Sequence, residues 1–208
     1  MLNLTVMRLQ EQAILRAVQG AAFHVEVPFL TQAEVIAEVN ELTGVLGAKW
    51  RVLGSELNAP TLQNWLKRDI FKPASETPGI RNRLYATVDV MALAVVSCIS
   101  RFGLPLEVAS CTAMQFLEVL KQTDDWASEA HNLLAVRMVQ DGYGVTTPDF
   151  SQKPEPVQVQ KFFKKHNTGM ALFIDWKLIA NLAIALCRER WKAKATRFLE
   201  KAKALRQT

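Results

Sequence analysis

The chain has 208 residues, half of them apolar and 22% charged, a balance that supplies a sizeable core for one or two domains and excludes wholesale disorder. Its formal net charge is +5, yet the segment from Arg188 to Thr208 alone carries +6 and the other 187 residues sum to −1. The basic total therefore describes one terminal segment and does not by itself mark a nucleic-acid protein.

Cys98, Cys111 and Cys187 lie in apolar stretches without CxxC or CxH spacing. This argues against a disulfide framework, suits a reducing cytoplasm, and leaves each as an expected small core residue. Met1 to Gln10 lacks the basic region and long apolar run of a secretory signal. Val88 to Ile99 falls short of the roughly 20 residues that span a bilayer, and Met170 to Cys187 contains Asp175, Lys177 and Asn181. A soluble cytoplasmic protein with no membrane partner is expected.

Along the chain, Met7 to Val18 has the pattern of a short amphipathic helix, and Phe23 to Phe29 alternates loosely and ends near Pro28. Thr31, with Glu34 three residues on, forms a capping-box pattern. The helix that follows places Val35, Val39 and Leu42 on one face and Glu34, Glu38 and Glu41 on another, and is expected to stop near Gly44. Val45 to Ala59 reads as a loop with at most one short turn of helix. Thr61 to Phe71 reads as a helix with Leu62, Trp65, Leu66 and Ile70 at helical spacing and Thr61, Gln63, Asn64, Lys67 and Arg68 opposite. Lys72 to Gly79 is turn-rich, and Ile80 to Tyr85 is strand-like, together the layout of a hairpin with basic residues on its return arm. Thr87 to Arg101 is a strongly apolar helix ended by Gly103, and Leu104-Pro105-Leu106 opens another running to about Gln122.

The second half has a different texture. Leu133 to Val139 reads as a strand, Asp141-Gly142 as a turn, and Gly144 to Pro156 as a linker or loop. Val157 to Lys165 has the pattern of a short helix, Gly169 to Ile174 of a second strand pairing with the first, and Asp175 to about Arg206 of a long helix. The expected fold is mainly α with small β elements: an N-terminal winged helix-turn-helix plus a C-terminal α/β or α+β module ending in a long basic helix. By motif the chain divides into an extension at 1–29, a DNA-binding domain at 30–122, and a dimerisation or effector/partner module at 123–208.

Helix, turn, polar-faced helix, basic hairpin and apolar helix is the order of a winged helix-turn-helix. A helix with a polar outer face enters the major groove and reads base edges. Gln63 and Asn64 suit adenine edges, Lys67 and Arg68 suit guanine or phosphate, and Arg81 and Arg83 on the hairpin suit the backbone beside it.

These residues resemble a known family. Thr61-Leu62-Gln63-Asn64-Trp65-Leu66-Lys67-Arg68-Asp69-Ile70-Phe71-Lys72-Pro73 is similar to the recognition helix and wing entry of MerR-type regulators, with a Thr-Leu start, an aromatic four residues later and a Pro after the helix. Arg83-Leu84-Tyr85 resembles the end of that family's wing, Val88-Asp89-Val90 with Leu93 its next helix, and Gly103-Leu104-Pro105-Leu106-Glu107-Val108 its glycine turn and following helix. The likeness covers about Thr31 to Leu120. It implies double-stranded DNA as partner, with Thr61, Gln63, Asn64, Lys67, Arg68, Arg81, Arg83 and Tyr85 at the contact. Two departures stand out: Val45 to Ala59 replaces a short turn, and Thr123-Asp124-Asp125 interrupts where the family continues into a dimer helix.

In the last helix Trp191, Ala195, Phe198, Ala202 and Leu205 recur at heptad-like spacing, a candidate homodimer seam or a stripe that packs within the chain. The second half is a candidate module for a protein or small-molecule partner. Enzyme signatures are absent: there is no HExxH, phosphate-binding glycine loop or GxSxG. Pro148-Asp149 with Lys153 echoes a metal-dependent nuclease, but Ser151 stands where a second carboxylate would hold the cation. His24, His131 and His166 are isolated from other ligand-type residues, so neither metal nor cofactor is expected. The rival expectation is a non-enzymatic interaction or assembly protein, of the phage or nucleoprotein-associated kind, that keeps a helix-turn-helix-like core for protein contacts.

Overall fold

The structure, a computed structural model, describes residues 25–50, 56–73, 83–122, 133–139, 142–146, 148, 154–168 and 170–206. The helix expected at Met7 to Val18, the segment 74–82 with Arg81, and most of the Pro148 to Lys153 stretch lie outside the described residues. Among those described, the protein is mainly helical with a small three-stranded antiparallel sheet. In chain order the elements are α1 (Gln32–Trp50), α2 (Ala59–Lys67), α3 (Thr87–Arg101), α4 (Leu106–Gln122), β1 (Leu133–Val139), β2 (Gly142–Thr146), α5 (Pro156–His166), β3 (Ala171–Asp175) and α6 (Trp176–Arg206). They fall into two compact units, Met1–Ala94 with Leu182–Thr208, and Val95–Asn181. No described helix is long and apolar enough to cross a membrane.

In the first unit, Thr31 opens α1. Its backbone and hydroxyl donate to the Glu34 carboxylate at 2.8 and 2.9 Å, and the hydroxyl accepts from the Glu34 amide at 3.4 Å, so the capping box forms. Val35, Val39 and Leu42 are fully buried, as their spacing implies. The helix does not stop at Gly44 but runs on to Trp50. Leu46, just beyond the glycine, is 1% exposed. Burying a leucine contributes about 2 kcal/mol, more than the ~1 kcal/mol a mid-helix glycine costs.

Asn58 caps α2, its Oδ1 accepting from the Thr61 amide at 2.9 Å, and Pro60 occupies the first turn, where its missing N–H is not needed. The helix therefore begins at Ala59, earlier than the expected Thr61, and ends at Lys67, earlier than Phe71. Its stop is Asp69, at φ 54° in the left-handed region that Asp tolerates better than most residues. The Ile70 amide then closes back on the Trp65 carbonyl at 3.0 Å. When the described chain resumes at Arg83, Tyr85 pairs with Leu30, the two exchanging backbone hydrogen bonds at 2.8 and 2.9 Å. What is described of the expected hairpin is thus its return end, joined to the residues that enter α1. The Asp89 carboxylate accepts from the Ala86 amide at 2.7 Å and caps α3, which runs to Arg101 and is followed by Gly103 at φ 78°.

The second unit is built on the sheet, in the order β2-β1-β3. β1 and β3 pair as expected, but β2 forms where a loop was expected from Gly144. Its two glycines hide the alternation: Tyr143 and Val145 stand opposite Met138 and Val136, while Gly144 stands opposite Arg137. A Cβ at Gly144 would come within 3.2 Å of the Arg137 guanidinium carbon, so that side chain lies across the glycine. On this face α5 buries Phe162 against Leu133 and Ala135, with Phe163, Ala171 and Phe173 around them. The opposite face holds an apolar groove of about 220 Å³, lined by Phe102, Val136, Met138, Tyr143 and Leu172 among others. The Asp175 carboxylate caps α6 by accepting from the Leu178 amide at 2.9 Å.

Candidate nucleic-acid interface

The candidate surface is the outer side of α2. Leu62 and Trp65 are 0% and 6% exposed and anchor the inner side. Asn64, Lys67 and Arg68 stand exposed, and Thr61 and Gln63 are half-buried at the edges. At 100° per residue, Gln63, Asn64, Lys67 and Arg68 share one arc of the helix, so the residues grouped by sequence do lie together. The helix start is held by Asn40 of α1: its Nδ2 donates to the Leu57 carbonyl at 2.9 Å, and its Oδ1 accepts from the Leu57 amide at 2.8 Å. That two-point grip fixes the chain one residue before the Asn58 cap, and so sets how α2 is presented. Asn40 escaped the sequence reading because a lone asparagine inside a helix has no local signature.

The residues expected on a wing separate. Arg83 is half-buried, with its Nε buried and unpartnered among the described residues. Tyr85 is a correction: it is 0% exposed, so its ring belongs to the core and offers nothing to a groove. Burial raises the Tyr85 hydroxyl above its ordinary value, against the opposing pull of the Arg83 guanidinium. Arg81 lies outside the described residues.

The basic terminal helix is partly spent inside the chain. Lys194 Nζ donates to the Glu34 carboxylate at 2.6 Å and to the Phe29 carbonyl at 2.8 Å, and Arg190 Nε donates to buried Glu38. Glu34 pairs with Lys194 while Glu38, a turn later, pairs with Arg190, a turn earlier, so α1 and α6 run antiparallel here. Burial raises the Glu34 carboxyl, but the hydrogen bonds from Lys194 and Thr31 outweigh it, and its pKa lies below the ordinary value. Of the candidate dimer stripe, Trp191 meets Phe29 edge-on at 4.7 Å within the chain, and Ala195 is half-buried. The side chains of Phe198, Ala202 and Leu205 lie outside the described residues.

Cys98 and Cys187 are buried as expected, whereas Cys111 is exposed. His166 lies against Phe162, ring centroids 4.6 Å apart. No cluster of three His, Cys, Asp or Glu side chains suited to a metal occurs among the described residues. No family model and no curated protein matches the chain.

Proposed function

We propose that the protein is a cytoplasmic, sequence-specific DNA-binding transcription regulator of the winged helix-turn-helix kind, related in its first half to MerR-type regulators. The observation that carries this reading is the outward arc of Gln63, Asn64, Lys67 and Arg68 on a helix anchored by Leu62 and Trp65. In this reading α2 enters the major groove, with Thr61 at its edge and Arg81 and Arg83 reaching the backbone. The Leu30–Tyr85 pairing supports it by joining the root of the wing to the entry of α1. Two copies reading paired half-sites would associate through the stripe of α6 that includes Phe198, Ala202 and Leu205.

The test is to incubate the purified protein with sheared DNA from its own source and sequence what is retained. A repeated, inverted site is the expected outcome. Asn64→Ala should change the preferred sequence, and Arg83→Ala should weaken binding to every sequence. Binding unaltered by either substitution overturns the assignment of this surface.

A second reading, an interaction or assembly protein, draws on the apolar groove of the second unit. Phe102, Met138, Tyr143 and Met170 are 39–54% exposed around it, the kind of patch that marks protein contacts. Salt separates the two readings: phosphate-driven binding falls steeply between about 50 and 200 mM, and an apolar interface does not.

A further inference from the structure

The second unit carries a basic face that the α2 reading leaves unused. From Pro156 to Ile174 the sequence contains no Asp or Glu. Within that stretch Lys161, Lys164 and Lys165 of α5 are all exposed. Spacings of three and four put them on one side of the helix as neighbours, an arrangement of like charges that opposes helix formation. The helix dipole favours Lys164 and Lys165 in the last turn, but Lys161 lies before it. Lys161 and Lys164 make no ion pair or hydrogen bond among the described residues.

Arg137 adds a second, independent observation. It projects from the sheet face that α5 covers, one inward position along β1 from Ala135, roughly 7 Å away. Its guanidinium lies across Gly144, its Nε is buried, and it has no partner among the described residues. The contrast is with α6, where Arg190, Lys192 and Lys194 meet Glu38, Glu189 and Glu34. Lys161 and Lys164 on α5, and Arg137 on the sheet face that α5 covers, thus carry no partner among the described residues.

An anionic polymer fits this face better than a lipid surface. Phe162 and Phe163 are used up against the sheet, and Val157 alone of the large apolar side chains of α5 is strongly exposed, at 52%. An interfacial membrane helix needs a continuous free apolar face. Exposed Gln158 and Gln160 instead flank the lysines with hydrogen-bond donors suited to phosphate and sugar oxygens. We propose that α5 together with Arg137 is a second, sequence-independent contact for the phosphate backbone of duplex DNA, separate from α2 and not dependent on its assignment.

The experiment titrates a random-sequence duplex of about 30 base pairs, long enough for both contacts, with the full-length protein and with Lys161→Gln/Lys164→Gln, from about 50 to 200 mM salt. Losing two phosphate contacts should weaken binding roughly ten- to a hundredfold near 100 mM and flatten the log–log salt slope by about 1.8. Lys161→Arg/Lys164→Arg should keep wild-type affinity and slope. The proposal fails if the Gln variant, melting like wild type, binds as wild type does, or if the Arg variant binds as weakly as the Gln variant. It also fails if the Gln variant loses only its binding to phosphatidylglycerol vesicles. Asn64→Ala, measured alongside for sequence preference, keeps the two surfaces apart: no effect there with a flattened slope here removes only the α2 reading, and the reverse removes only this one. A wild-type protein that binds no duplex removes both.

Discussion

Cys98 and Cys111 are thirteen positions apart in neighbouring helices of similar apolar texture, yet their chemistry differs completely. Burial pushes the Cys98 thiol up to about 11 and the Cys187 thiol up to about 12, because the thiolate would lose its hydration. Cys111 is exposed on α4. Native protein treated with iodoacetamide near neutral pH should therefore gain a single adduct, at Cys111, and all three only after unfolding. Rapid native labelling at Cys98 or Cys187, read by peptide mass spectrometry, would contradict their placement. The sequence grouped all three as core residues, since composition around a cysteine does not say which side of its helix faces out. Tyr85 fails in the same way and for the same reason. An Arg-x-Tyr pattern at the end of a hairpin looks like a contact surface, and only the Leu30 pairing shows that the tyrosine turns inward.

At the scale of elements, boundaries were legible wherever a strong local cap exists: Thr31 with Glu34, Gly103 after α3, Asp175 before α6. They were misread where tertiary burial overrides a local signal, as at Gly44, or where an unusual residue takes the left-handed position, as at Asp69. The outward residues of α2 were legible because amphipathic spacing fixes a face even when the ends are wrong. The brace between α6 and α1 was not, since Glu38 and Arg190 are 152 residues apart. That brace has a measurable weight. The Glu38 side chain is 3% exposed, so Arg190→Ala leaves a buried carboxylate without its partner, a change that costs about 3–5 kcal/mol. The melting temperature should fall by roughly 6–20 °C for a chain of this size. Lys192→Ala removes only an exposed pair with Glu189 and should be nearly silent. Equal melting of the two variants would show that the Arg190 pair braces nothing. Self-association through the candidate seam is a separate question, and a truncation ahead of the seam would take Trp191 and Lys194 with it. Leu205→Glu, read by light scattering, asks the question without removing them.

For the whole molecule, the net charge of +5 misleads unless it is followed residue by residue. Arg190 and Lys194 answer Glu38 and Glu34 of α1, so part of the basic tail serves folding, while Lys161 and Lys164 of α5 stand exposed without a partner among the described residues. The basic residues that brace the fold are thus distinct from those without a partner on α5, and pH should act on the first set through the acids that hold it. Glu34 titrates below its ordinary value in the folded chain, so over the window between its folded and unfolded values the unfolded chain binds more protons. Its contribution is then complete above the ordinary carboxylate range and is lost as pH falls through the lowered value. Comparing wild type with Glu34→Gln isolates that contribution, because glutamine keeps an acceptor for Thr31 but not the charge that Lys194 meets. The wild type should melt higher at pH 7, and the gap should close as pH falls through the lowered value, where Glu34 in the wild type also becomes neutral. A gap that stays constant from neutral to acid pH would mean that the Lys194 contact stabilises through shape and hydrogen bonding alone, and that the charge on Glu34 contributes nothing to holding α6 on α1.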